Sequence, residues 1–327
     1  MTFRINNALQ GKTIAITGAS GYIASALIEN LLNCSVNIIR VSRQSLSPLS
    51  GILDLKADIK TPECWRDIVS QSDIVICLAG NTSVYTAREN PVESLESTVL
   101  PINQLLKAAI ELRKTPRVIY ASTATVYGLT EQFPVTEKHP CNPITVYDLH
   151  KHFAEQQLAL ASQNGLVEGI ALRLANVYGP SLANSSANDR GILNKVIKSA
   201  LQGNDLTLYG NGEYIRDYVY IDDVVSAFIE AAQMEISNNY AFNISSGHGV
   251  SIKEAFELVM RKTQAITGKA INLNPTSWPK NADPIEFRNY IGCNQLFKNT
   301  TNWSPETSLP SGIDRLINFF QEINLNE

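Results

Sequence analysis

The sequence is poor in the features that mark several common classes of protein. Its five cysteines (Cys34, Cys64, Cys77, Cys141 and Cys293) form no Cys-x-x-Cys pair, which argues against a zinc site or a disulfide framework. Its four histidines are not spaced with acidic residues as metal ligands usually are, so no metal is expected. A net charge of -4 leaves no basic excess for nucleic acid. With no secretion signal and no membrane-spanning run recognisable, we expect a cytoplasmic protein without a membrane partner.

A tyrosine and a lysine four residues apart are the first sign of chemistry. Tyr147 and Lys151 lie in a stretch, 147–162, that is rich in good helix formers, so they would share one helix face. A free phenol has a pKa of about 10, and a neighbouring ammonium lowers that pKa by favouring the phenolate. Such a phenol can exchange a proton with an alcohol or a carbonyl near neutral pH. Taken alone, the pair is more often a surface tyrosine and a solvated lysine.

A glycine-rich turn near the start of the chain points to a dinucleotide. The apolar run 13–16 predicts a buried parallel strand. Gly18, Gly21 and Ala24 follow it, and leucine and isoleucine then recur at helical spacing. Glycines let the backbone approach a pyrophosphate, and a helix N-terminus supplies N–H donors. An ordinary glycine turn would fit this motif alone about as well. The expected cofactor contacts in the turn are Gly18, Ser20, Gly21, Tyr22 and Ile23.

The end of the second predicted strand bears on the choice of cofactor. Sites that select NAD usually carry an acidic residue there, which holds the ribose 2′-hydroxyl group. This chain has Ser42 and Arg43 instead, and a guanidinium can hold a 2′-phosphate through two hydrogen bonds. The pair therefore favours NADP, with NAD as the alternative if Arg43 is only a surface arginine.

Together with several longer motifs, these residues resemble the extended short-chain dehydrogenases/reductases, in the group of nucleotide-sugar epimerases and dehydratases. The resemblance runs from about Lys12 to Phe320. The motifs that carry it, besides the turn and the Tyr/Lys pair, lie at 58–59, 78–81, 90–91, 120–128, 173–180, 216–224 and 243–247.

The resemblance implies an α/β fold, a Rossmann-type doubly wound parallel sheet with a smaller C-terminal substrate-binding lobe. The NAD(P)-binding domain would span residues 11–178 and be re-entered at about 215–245. The nucleotide-sugar-binding lobe would comprise residues 179–214 and 246–327, with 181–190 as a flexible loop over the substrate. Relatives often dimerise through a four-helix bundle, so a homodimer built on the helices 92–113 and 147–162 is also implied.

The resemblance also assigns roles to individual residues. Thr123 would hydrogen-bond the sugar oxygen being oxidised, Tyr147 would move the proton, and Lys151 would tune Tyr147 and hold the nicotinamide ribose. Arg216 would bind the diphosphate of the nucleotide sugar, with an ion pair to Asp217 as the alternative. The remaining implied cofactor contacts are Asp58, Ile59, Leu78, Ala79 and Gly80, and the remaining implied substrate contacts are Asn81, Ser83, Asn176 and Tyr209.

Departures from the family pattern decide the expected reaction. Dehydratases of the family commonly carry Asp-Glu directly after the catalytic threonine, whereas this chain has Ala124 and Thr125, neither of which can act as an acid or base there. The Ala-Thr pair resembles that of 4-epimerases. The usual C-terminal phosphate arginine is also replaced, and either Lys280 or Arg288 could substitute for it.

Three functions remain open at this point. The first is a nucleotide-sugar epimerase that oxidises C4 transiently to a keto sugar and reduces it from the other face. The second, favoured by Arg43, is an NADPH-dependent nucleotide-sugar ketoreductase. The third, a cofactor-binding regulator without turnover, fits poorly with an intact Thr/Tyr/Lys set.

Overall fold

The computed structural model of the protein describes residues 7–32, 34–181, 191–235 and 240–324. The β-strands in this part of the chain are β1 Thr13–Thr17, β2 Asn37–Ser42, β3 Ile52–Lys56, β4 Ile74–Cys77, β5 Arg117–Thr123, β6 Glu168–Leu174, β7 Asn176–Tyr178, β8 Leu206–Tyr209, β9 Ile215–Tyr220, β10 Ala241–Ile244, β11 Gly249–Ser251 and β12 Leu273–Thr276. The α-helices are α1 Tyr22–Leu31, α2 Pro62–Gln71, α3 Val84–Glu89, α4 Pro91–Thr98, α5 Leu100–Leu112, α6 Val146–Gln163, α7 Ile192–Gln202, α8 Ile221–Gln233, α9 Ile252–Thr267, α10 Gln295–Thr301 and α11 Leu309–Asn324.

A seven-stranded parallel sheet organises the molecule, in the order β10-β6-β5-β4-β1-β2-β3. β1 pairs with β2 on one side and with β4 on the other, so the strand order reverses at β1. In such doubly wound sheets the ligand crevice lies outside the carboxyl ends of the strands at this reversal. The expected Rossmann-type fold is confirmed.

Helices cover both faces of the sheet, which is why its central strands, such as β1, are apolar on both sides. In β1, Ile14 and Ile16 pack into one buried cluster with α1 and α8. Ala15, between them, points to the other face and packs with Trp65 of α2 and Leu105 of α5. Because successive strand residues face opposite sides of the sheet, this short apolar run contributes side chains to two hydrophobic clusters, one on each face.

The second lobe is built from segments far apart in sequence. β9 lies between β7 and β11 in a three-stranded sheet, and β8 pairs with β12. The chain returns to the large sheet with β10, which pairs in parallel with β6. The domain boundaries expected from the sequence would group β7 and β9 with the cofactor domain, although the two strands form this separate sheet.

The sequence predicts a single helix over 92–113, and this prediction is wrong in one respect. The structure has two helices, α4 and α5, which meet at Val99. Pro101 lies in the first turn of α5. Proline has no N–H group to donate to the carbonyl group four residues earlier, and its ring collides with that carbonyl. The helix therefore breaks there.

Two further expectations concern loops and membranes. Of the loop expected at 181–190, residues 182–190 lie outside the described residues. None of the described helices has both the length and the apolar character needed to cross a membrane.

Candidate active site

The glycine turn and the loop after β4 form one continuous surface at the strand reversal. Gly18 has a φ of +67°, which L side chains rarely adopt, and a Cβ there would stand 2.9 Å from the Ala79 backbone nitrogen. The Thr17 hydroxyl group accepts hydrogen bonds from the N–H groups of Leu78 (3.1 Å) and Ala79 (3.2 Å). Gly21 caps the N-terminus of α1. Because the glycines have no side chains, the pyrophosphate of a dinucleotide can approach the backbone N–H groups at this helix N-terminus closely.

The other predicted cofactor residues surround this turn. Ser42 is buried at the end of β2, and Arg43, beside it, is exposed to solvent. Asp58 and Ile59 are half-buried in the loop that follows β3. Their positions at the carboxyl ends of neighbouring strands bring them to the same edge of the sheet as the glycine turn.

Tyr22 has a contact that was not predicted from the sequence. Its hydroxyl group donates a 2.9 Å hydrogen bond to the carbonyl oxygen of Gly179, and burial raises the pKa of Tyr22. The side chain of Asn194 in α7 bonds the same glycine at its carbonyl oxygen (2.6 Å) and its N–H group (3.2 Å). The first residue of α1 is thereby tied to the beginning of the second lobe. Ile23, next in the helix, is half-buried.

The predicted catalytic residues come from β5 and α6. β5 ends at Thr123, and α6 begins after Thr145, whose hydroxyl group caps the helix. The ammonium group of Lys151 donates a 2.8 Å hydrogen bond to the Ala121 carbonyl oxygen and lies 5.9 Å from the ring centre of Tyr147. Burial lowers the pKa of Lys151 to about 8, so the group is still mostly charged at neutral pH. Its charge next to the ring favours the Tyr147 phenolate.

Thr123 has a second hydroxyl group as its neighbour. Its Oγ1 atom lies 2.9 Å from Oγ1 of Thr125, within hydrogen-bond distance. Asp148, the residue that follows Tyr147 in the sequence, is also near Thr125. The Asp148 side chain is completely buried. Burial raises the pKa of Asp148 to about 6, while the Thr125 and Thr145 hydroxyl groups and the charge of Arg288 oppose that rise. No sequence pattern marks this carboxyl group, because its burial depends on segments far along the chain.

Arg216, which is buried, and Arg288, which is half-buried, are neighbouring cations in the second lobe. Arg216 donates to the carbonyl oxygen of Glu286 at 2.8 Å and to that of Arg288. Burial and then the charge of Arg288 lower the pKa of Arg216 to about 9. Arg288 in turn donates to the side-chain oxygen of Asn176 at 3.3 Å. Two cations held this close suit a diphosphate, because its oxygens can accept from both.

The alternative interpretation of Arg216, an ion pair with Asp217, does not describe its contacts. The Asp217 carboxylate accepts hydrogen bonds from the N–H groups of Ser246 (2.8 Å), Gly247 (3.0 Å) and Gly292 (3.2 Å). Neighbouring residues of a strand point to opposite faces, so the side chains of Arg216 and Asp217 make their contacts on opposite faces of β9. Of the two candidates for the second phosphate cation, Arg288 is the one beside Arg216.

The remaining predicted substrate residues, Tyr209, Asn81 and Ser83, lie in loops and at the end of β8. The Tyr209 ring is 44 % exposed and stacks on Trp278 with ring centres 5.4 Å apart. The Asn81 side-chain oxygen accepts from the N–H group of Ser83 (2.8 Å), and the Ser83 hydroxyl group caps α3. Gly80, between Ala79 and Asn81, has a φ of +152°.

One cluster of possible metal ligands was not expected from the sequence. Atoms of Cys141, His152 and Glu155 lie within 4.8 Å of one another. Glu155, however, accepts a 2.7 Å hydrogen bond from the Arg173 guanidinium group. That ion pair already neutralises the carboxylate, so a cation placed there would face the charge of Arg173.

Comparison with known protein families shows to which family the chain belongs. Residues 14–245 match the NAD dependent epimerase/dehydratase family. The chain belongs to this family. The expected recognition as an extended short-chain dehydrogenase/reductase is thereby confirmed, and the family's dependence on NAD agrees with a dinucleotide at the glycine turn.

Relatives in this family cover almost the whole chain. A putative UDP-glucose 4-epimerase of Methanocaldococcus jannaschii is 26% identical over 321 residues, 95% of this chain and 99% of the relative. A UDP-N-acetyl-alpha-D-glucosaminuronate decarboxylase of Bacillus cytotoxicus is 28% identical over 325 residues, 95% and 98% of the two chains. The UDP-glucose 4-epimerase of Thermotoga maritima, solved with UDP-glucose, has a TM-score of 0.83 at 26% identity and covers 95% of this chain and 99% of its own.

Proposed function

We propose that this family member is a nucleotide-sugar 4-epimerase acting on a UDP-sugar. The observation that carries the proposal is that Thr123 lies beside Thr125, a hydroxyl residue where dehydratases of the family hold a carboxyl group. Lys151 contacts both Tyr147 and the same strand, at the carbonyl oxygen of Ala121. Relatives named as UDP-glucose 4-epimerases, 26% identical over nearly the whole chain, support the UDP-sugar.

The chemistry needs few groups. The dinucleotide supplies the acceptor and donor of a hydride when it is bound. Tyr147 takes the proton of the sugar hydroxyl group as the carbinol carbon is oxidised, and Thr123 holds the same oxygen. The keto sugar turns in the pocket, and Tyr147 returns the proton when the carbon is reduced from the other face. The charge of Lys151, 5.9 Å from the centre of the Tyr147 ring, favours the phenolate over the phenol.

The substrate would lie across both lobes. Arg216 and Arg288 would bind the diphosphate, with Asn176 orienting Arg288 through its 3.3 Å hydrogen bond. The exposed ring of Tyr209 offers a stacking surface for the base. Asn81 and Ser83, which follow Gly80 in the loop after β4, would contact the sugar.

The cofactor is proposed to be NADP, with NAD as the alternative. The support is the exposed Arg43 after β2, in the place where NAD-selecting sites carry a carboxylate. Against it, a relative 25% identical to this chain, MoeE5, was solved with UDP-glucuronic acid and NAD. Melting shifts with each dinucleotide rank the two directly.

We also propose a homodimer through α4, α5 and α6. These helices carry large exposed apolar side chains, among them Val92 (69 %), Leu160 (60 %) and Phe153 (48 %). Phe153→Glu should shift the mass measured by light scattering to that of a monomer. Ile266→Glu, at a site of similar exposure on α9 (47 %), is the control and should leave the mass unchanged. A wild-type chain of monomer mass would refute the proposal.

The epimerase assignment is tested by product analysis. The protein is incubated with NAD or NADP and with UDP-, GDP-, CDP- and dTDP-hexoses, and the products are followed by mass and NMR. Inversion at C4 without a change of mass is expected, and Tyr147→Phe should abolish it. Loss of water would contradict the assignment, whereas formation of NADPH from NADP in step with net oxidation of a hexose, the reverse of a reduction, would identify the ketoreductase alternative.

A further inference from the structure

A short segment of the second lobe, residues 281–288, holds the two cations proposed to bind the diphosphate. Arg288 is its last residue, and Arg216 of β9 donates hydrogen bonds to its carbonyl oxygens at Glu286 (2.8 Å) and at Arg288. Arg288 also donates a 2.9 Å hydrogen bond to the carbonyl oxygen of Ile285, within the segment. The positions of both guanidinium groups therefore depend on where this segment lies.

Helix α3, in the dinucleotide-binding lobe, contacts this segment through two side chains. The Arg88 guanidinium group donates to the Asn281 carbonyl oxygen from both terminal nitrogens, at 3.3 Å and 3.4 Å, and it lies 3.5 Å from a carboxylate oxygen of Asp283. The Tyr85 hydroxyl group donates a 3.3 Å hydrogen bond to the Glu286 carboxylate. The partners are 193 to 201 positions apart in sequence, so this α3 contact, made by Tyr85 and Arg88, joins the two lobes.

The members of the α3 contact support one another. The Arg88 guanidinium carbon lies 5.3 Å from the centre of the Tyr85 ring, a cation–π distance. Asp283 is buried, and its carboxylate also accepts from the Ile285 N–H group at 3.2 Å, which caps the short turn 284–287. Removing one partner of an ion pair leaves the buried charge of the other uncompensated. Loss of Arg88 should therefore disturb this turn and the cation that follows it.

The same helix begins at the loop proposed to contact the sugar. The Ser83 hydroxyl group accepts from the Thr86 N–H group at 3.2 Å and caps α3, and the Asn81 side-chain oxygen accepts from the Ser83 N–H group at 2.8 Å. The sugar loop thus lies at one end of α3, and the α3 contact joins the diphosphate segment to the same helix. A sugar and its diphosphate are covalently joined, so the two surfaces that bind them must keep a fixed spacing.

We propose that Tyr85 and Arg88 are positioning residues, which hold segment 281–288 where its cations can bind the diphosphate. This role rests on the proposed function, because it takes the two guanidinium groups of the second lobe as the diphosphate site. Both residues act through the segment and not on the reacting carbon. Their loss should therefore weaken binding of the nucleotide diphosphate and leave hydride transfer at the sugar unchanged.

The first experiment measures the affinity of the whole protein for UDP by calorimetry. Arg88→Met should raise Kd about 3- to 10-fold, the range expected when a partly exposed ion pair and its hydrogen bonds are lost. Arg88→Lys, which keeps the charge beside Asp283, should recover part of the affinity. Arg66→Met is the matched control and should bind UDP as wild type does. Arg66 is 45 % exposed against 40 % for Arg88, but its partner is Glu111 within the dinucleotide-binding lobe.

Two results of this titration would count against the α3 contact in different ways. UDP bound equally by wild type and Arg88→Met would overturn the role of Arg88 and leave the diphosphate site intact. Wild type that binds no UDP would overturn the diphosphate site itself, and the positioning role with it. In turnover of the UDP-sugar, Arg88→Met and Tyr85→Phe should raise KM with kcat nearly unchanged. A fall in kcat alone would contradict the role.

A second experiment needs no ligand. Hydrogen exchange of the free protein, followed by mass spectrometry, reports local opening of segment 281–288. Its N–H groups include that of Glu286, which donates to the Asp283 carbonyl oxygen at 2.9 Å. Exchange in the segment should be faster in Arg88→Met than in wild type or in Arg66→Met. Equal exchange in the three proteins would show that the α3 contact does not hold the segment, and the proposal would fail.

Discussion

Gly18→Ala tests whether the glycine turn and the loop after β4 are one cofactor-binding surface. The new Cβ would stand 2.9 Å from both the nitrogen and the Cα of Ala79, and the residue would have to keep a φ of +67°. A left-handed conformation costs an alanine about 1–2 kcal/mol. The collision with backbone adds about 1–3 kcal/mol of overpacking. Together the free energy of unfolding should fall by about 2–5 kcal/mol.

Gly165→Ala is the matched control. Gly165 has a φ of +69°, and a Cβ added to it would have no atom within 4 Å, so this variant isolates the backbone cost. At about 2 °C per kcal/mol for a chain of this size, Gly165→Ala should lower Tm by about 2–4 °C and Gly18→Ala by about 4–10 °C. Only Gly18→Ala should weaken dinucleotide binding, because only its collision moves the loop 78–80. Equal Tm values for the two variants, or unchanged cofactor affinity in Gly18→Ala, would refute the reasoning.

Three further predictions concern single side chains. Arg43→Ala should remove a preference for NADP over NAD in melting shifts without lowering the Tm of the free protein; an equal or larger shift with NAD in wild type would contradict the NADP assignment. Tyr147→Phe should bind cofactor and lose about 10²–10⁴-fold of turnover, so near-normal activity would remove Tyr147 from the mechanism. Asp148→Asn should stabilise the fold at pH 8 by at most about 3 kcal/mol, since a pKa raised from 3.8 to about 6 makes the ionised form costly. That gain should shrink as the pH falls below 6 and vanish near pH 4, and a gain independent of pH in denaturant titrations would contradict it.

Local signals explain why much of the site could be predicted from the sequence. The apolar run before Gly18 and the helix around Tyr147 and Lys151 are each specified within about fifteen residues, so spacing alone brings out the strand, the turn and the helix face. The break between α4 and α5 also has a local cause, the missing N–H group of Pro101, so it could have been expected from the sequence.

What could not be predicted from the sequence depends on contacts between distant segments. Arg288 comes beside Arg216 through pairing that brings residues 72 positions apart into hydrogen-bond contact. Asp148 looks like an ordinary first-turn carboxylate, and only the packing of Thr125 and of the segment around Arg288 buries it. The Cys141 and His152 pair likewise meets across a loop and a helix turn, without a spacing that marks it.

The pairing of β8 with β12 has a consequence for synthesis on the ribosome. The large sheet receives its last strand when residue 244 has left the exit tunnel, but β12 ends only at residue 276. Chains grow from the N-terminus at about 5–20 residues per second, so roughly 2–6 s separate the two events. For that interval the nascent chain has all seven strands of the dinucleotide-binding sheet, while β8 still lacks its partner. The cofactor can therefore meet its binding surface before the surface for the sugar nucleotide is complete.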